Sequence, residues 1–91
     1  MNRIDAAFDR LRKENRKAMI SFITAGDPDL DATVELVLAM EQGGADIIEL
    51  GVPYSDPLAD GAVIQASSAR ALKAGARITG IMDTVRTIRK Q

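Results

Sequence analysis

Two short apolar runs separated by a single amphipathic helix constrain this chain more than anything else in it. Ala18 to Thr24 (AMISFIT) is nearly continuous apolar and rich in β-favouring residues, and Asp46 to Val52 (DIIELGV) is a second run of the same kind. Runs without polar alternation read as strands covered on both faces, the pattern of parallel sheets. Between them, Val34, Val37 and Leu38 give a helix one apolar face, and Gly43-Gly44 closes it. Strand, crossover helix and second strand make a βαβ unit. Two parallel strands do not complete a domain, because their edges and faces need neighbours that this chain does not supply. The fold class expected is therefore α/β, with residues 1–91 as the opening section of a larger protein.

The flanking segments fit that order. Ile4, Phe8 and Leu11 recur at helical spacing among charges, which predicts a first helix from Asn2 to Glu14. Asp29 or Asp31 is the expected N-cap of the crossover helix. An alanine-rich helix should run from Val63 to Ala74 and stop at Gly75, and Thr79 is the expected cap of a last helix with Ile81, Val85 and Ile88 on its apolar face.

Composition removes several chemistries. The chain has no cysteine and no histidine, so thiolate nucleophiles, Ser-His pairs, disulfides and most zinc or haem sites are excluded. Its charge is balanced at −1, and only 3% of its residues are aromatic, which gives no basic, aromatic-interleaved surface for nucleic acid. Its apolar runs are far shorter than a membrane span, and the charged, helical N-terminus does not read as a signal peptide. A cytoplasmic location is the expectation. What remains for chemistry is carboxylates, hydroxyls, lysines and backbone.

The segment from Ile47 to Gln65, IIELGVPYSDPLADGAVIQ, concentrates those groups. Glu49 stands near the C-terminal end of an apolar strand, where burying a carboxylate is costly unless it is paired or used. Desolvation there would favour the neutral form and suit a group that both donates and accepts a proton. The alternative is a strand-end carboxylate held in a salt bridge. Asp60 lies in the following loop, either as a functional carboxylate or as half of an ordinary Asp-Gly turn or N-cap.

This segment resembles the signature of the tryptophan synthase alpha subunit family, E-L-G-[ILV]-P-[FY]-S-D-P-x-A-D-G-P-x-I-Q, at nearly every position, and FITAGDPD upstream is similar to the family's first strand and loop. The resemblance covers the whole chain. It implies a (β/α)8 TIM barrel, of which residues 1–91 are the N-terminal portion, about the first two βα units and a preceding helix. It also implies a lyase that cleaves indole-3-glycerol phosphate to indole and glyceraldehyde 3-phosphate without a cofactor or metal. Glu49 would be the general acid-base group, and Asp60 would hold the indole N–H. Phe22 and Ile64 match positions lining the indole pocket, or are plain core. Pro53, Tyr54, Ser55, Asp56 and Pro57 match the loop that touches the beta subunit, or form a Pro-bounded turn. Ala62 stands where the family has proline, which loosens the start of the helix. A complete barrel of this type takes roughly 250 residues, with its phosphate site after strands seven and eight. The 91-residue chain is therefore expected to be inactive alone, the alternative being a non-catalytic scaffold or beta-subunit-binding module that self-associates through open strand edges.

Overall fold

A computed structural model describes residues 2–56 and 58–91. In chain order the elements are α1 (Arg3–Lys13), β1 (Ile20–Thr24), α2 (Leu30–Gln42), β2 (Ile47–Gly51), α3 (Ala62–Lys73) and α4 (Ile78–Arg89). The two strands pair in parallel, with Ile20 beside Ile47, Phe22 beside Glu49 and Thr24 beside Gly51. The helix α2 makes the crossover between them.

Local chemistry sets the ends of these elements. Asn2 caps α1, its side-chain oxygen accepting from the Asp5 N–H at 2.8 Å. Asp5 in the first turn and Arg10, Arg12 and Lys13 in the last complement the helix dipole. Asp29 caps α2 by accepting from the Ala32 N–H at 2.7 Å. Gly44 and Gly75 follow helix ends at φ values of 109° and 95°, where an L side chain is strained. Thr79 does not cap α4. Arg77 is the N-cap residue, without a side-chain hydrogen bond, and Thr79 lies inside the first turn.

Below the strands, α1 is fastened by charge. Asp46, whose side chain is almost fully buried, accepts from the Met19 N–H at 2.8 Å and pairs with Arg10 at 3.3 Å and Arg16 at 3.7 Å. On the outer face of the sheet, Ile48 and Leu50 look toward Val37 of α2 and Val85 and Ile88 of α4 across a groove of about 330 Å³. There α4 packs on α2 closely enough that a Cβ at Gly80 would stand 2.9 Å from Leu30 Cδ1.

The strands read as suited to cover on both faces, with neighbours that these residues do not supply, and the inner face is open accordingly. Ile20 and Phe22 are each 48% exposed, and Glu49 is exposed as well. The helices cover only the Ile48 and Leu50 side, and within these residues nothing lies over the other.

Candidate active site

The inner face collects the residues singled out by the sequence. Alternation along β2 puts Ile47, Glu49 and Gly51 on one side, and the strand register sets Phe22 directly beside Glu49. Among the described residues the Glu49 carboxylate makes no ion pair, so a salt bridge from it would need a lysine or arginine of a further strand. It stands exposed at the C-terminal end of β2 rather than desolvated in a covered strand.

Beyond Gly51 the strand ends and a loop leads to α3. Pro53 is buried, whereas Val52, Tyr54, Ser55 and Asp56 are exposed; Pro57 lies outside the described residues. The backbone of Asp60 is fixed, its carbonyl accepting from Gln65 Nε2 at 2.8 Å. Its side chain is not the cap of α3, since Gly61 is the N-cap residue and has no side-chain bond. The exposed carboxylate is thus left open to solvent. Ala62 occupies the first helical position, where a proline ring is ordinarily favoured. Ile64, two residues later, is half-buried.

What holds α3, and with it the Asp60 loop, is the end of β1. Thr24 and Ser67 are both buried, with their hydroxyl oxygens 2.8 Å apart, and Ser67 also donates to the Ile64 carbonyl at 2.9 Å. Three residues on, Arg70 donates twice to Asp27, at 3.0 and 2.9 Å. That fork-to-carboxylate bond holds the Asp27 carboxyl below the usual range and pushes the guanidinium upward. Between these two ties, Gly26 at φ 92° lies so close to α3 and the turn after it that a Cβ there would meet Ala76 Cβ at 2.6 Å and Ala71 Cβ at 3.4 Å. The loop after β1 is itself ordered by Thr33, which is fully buried, accepts from the Gly26 N–H and donates to the Asp29 carbonyl. The sequence reading missed Thr24, Ser67, Asp27 and Arg70. For Ser67 and Arg70 the signal was the polar pattern on an otherwise alanine-rich helix.

Among the described residues no group of three or more Asp or Glu is arranged to hold a metal, and no helix is long and apolar enough to cross a membrane.

The family model for the tryptophan synthase alpha chain matches residues 8–91. The chain belongs to the tryptophan synthase alpha chain family. A tryptophan synthase alpha chain from Caldanaerobacter subterraneus subsp. tengcongensis is 66% identical over 91 residues, covering all of this chain and 35% of that protein. One from Clostridium kluyveri is 63% identical over 89 residues, 98% of this chain and 34% of its own. The crystal structure of tryptophan synthase subunit alpha from Legionella pneumophila superposes on the whole chain at a TM-score of 0.97 and 42% identity, with 35% of that structure matched. The chain thus spans about a third of the length of these alpha chain relatives. Its parallel pair and alternating helices are the opening βα units of the TIM barrel that the family shares.

Proposed function

We propose that residues 1–91 are the N-terminal portion of a single barrel domain and carry the acid-base half of a site that cleaves indole-3-glycerol phosphate. The observation that supports this most directly is the pairing of Phe22 with Glu49 on the open face at the C-terminal end of the strands, where barrels of this type do their chemistry. In this reading Glu49 protonates the indole C3 and takes the proton of the glycerol hydroxyl adjacent to the ring. The carbon-carbon bond then breaks, its electrons return to the indole ring, and the hydroxyl carbon becomes the aldehyde of glyceraldehyde 3-phosphate. Asp60 accepts from the indole N–H and faces the positive charge that develops on the ring, a fixed charge opposite a transient one. Phe22 and Ile64 supply apolar surface for the indole. No step calls for a cofactor. The exposed side chains of Tyr54, Ser55 and Asp56, carried with Pro53 and Pro57, are the part of the loop offered to a beta subunit. The same reading carries a cytoplasmic location.

The test uses a completed barrel, in which these 91 residues are joined to the remaining two thirds of the Caldanaerobacter relative. Glu49→Gln is expected to abolish indole release while leaving substrate binding largely intact. Retained turnover in that variant would overturn the assignment of Glu49.

A further inference from the structure

Gly51 stands in the last position of β2 with no need of glycine's backbone freedom. The described glycines with positive φ are Gly26, Gly44 and Gly75, and Gly51 is not among them. A glycine inside a strand otherwise marks a close approach by another group. Here that group is an aromatic ring: a Cβ built on Gly51 would lie 2.4 Å from Phe22 Cζ and 2.7 Å from Phe22 Cε2. Real Cβ atoms do not come that close. The Phe22 ring therefore lies back along the sheet, from its own place beside Glu49 over the next position on the same face, and fills the volume a side chain at 51 would take.

We infer that Gly51 is a specificity-determining position, which sets the depth of the aromatic site by letting the Phe22 ring lie against the sheet. The inference rests on the reading of this face as the indole site. With the ring down, the space beside the Glu49 carboxylate stays open to a flat aromatic ligand. A methyl group at 51 has one soft neighbour to displace, the Phe22 ring, since the next nearest group is the backbone carbonyl of Ile23 3.5 Å away. The ring must rise, and it rises into the space the ligand needs. One methyl group in an apolar site is worth about tenfold or more in discrimination.

The experiment uses the completed barrel in four forms: native, Gly51→Ala, Phe22→Leu and the double variant. Gly51→Ala is expected to weaken indole binding and raise the KM for indole-3-glycerol phosphate about tenfold, with kcat changed far less. In the Phe22→Leu background, where Cζ and Cε2 are gone, the same substitution should have almost no further effect. An equal loss in both backgrounds would overturn the inference. A second readout does not depend on turnover: the Gly51 α-protons, which face the Cζ–Cε2 edge of the ring, should be displaced by its ring current and relax to ordinary values in Phe22→Leu. Ordinary values in the native protein would overturn it equally, and this comparison stands even if Gly51→Ala fails to fold. Should Glu49→Gln retain turnover while the ring-current shift and the coupling persist, the catalytic assignment fails and the Gly51–Phe22 packing does not.

Discussion

The Thr24–Ser67 tie leads to an asymmetric expectation. Both side chains are buried, 5% and 7% exposed, and each hydroxyl has a single proton to give. Ser67 donates its proton to the Ile64 carbonyl at 2.9 Å, so the proton in the 2.8 Å bond between the two hydroxyls comes from Thr24. Ser67→Ala then strands a buried donor, which costs about 1–3 kcal/mol. Thr24→Val keeps the shape and removes that donor, and Ser67 keeps its bond to Ile64; only the net value of one neutral hydrogen bond is lost, about 0.5–1.5 kcal/mol. The double variant leaves nothing stranded and should be more stable than Ser67→Ala alone, a coupling that a double-mutant cycle isolates. Urea titration of the four completed barrels at pH 7 measures it. The reasoning is refuted if Thr24→Val costs as much as Ser67→Ala, or if the two losses add.

Three other outcomes are expected. The stabilisation from Asp27 should depend on acid: its carboxyl is depressed by the Arg70 hydrogen bonds, so the contribution is fully present above the unfolded value of about 3.9 and disappears as the pH falls through the lower folded value. The stability gap between native and Asp27→Asn should accordingly close in that window, and a gap that stays constant to pH 2 would contradict it. Gly26→Ala should destabilise through both backbone strain at φ 92° and collision with Ala76, and adding Ala76→Gly should restore only the collision part; full restoration in thermal melts would show that the backbone carries no strain. The 91 residues by themselves should release no indole and should self-associate, because Ile20 and Phe22 stand exposed on the open face of the sheet and Val63 is exposed on α3. Indole release by the purified chain, or a monodisperse monomer in light scattering, would count against these.

The sequence was most legible where local chemistry decides the structure. Asn2, Asp29 and the Gly43-Gly44 pair mark helix ends by their side chains or backbone freedom, and they hold those positions. It was less direct where burial depends on partners distant in the chain. AMISFIT reads as a strand covered on both faces because its composition suits a complete barrel, yet the cover for Ile20 and Phe22 does not come from these residues. Buried hydroxyls were harder still. Thr33, Ser67 and Thr84 face inward with their donors returned to carbonyls of their own helix turns, so a count of apolar residues passes over them. Arg77 heads α4 without any side-chain bond to announce it, which is why the nearby Thr79 looked the better choice. Of the proposed site, the two carboxylates were visible in the sequence. The ties that fix α3 to β1 were not, because they join residues 43 positions apart.

The knot around Asp46 gives the two ends of the sheet unequal freedom. At the heel of the strands, a single sunken carboxylate gathers two arginines and a backbone amide and stitches α1 beneath β1 and β2. At the toe, the strands run out into loops. Changes in the exposed loop after β2 can therefore accumulate without unfastening the pair, whereas a change at Asp46 would loosen both strands at once and never touch a substrate.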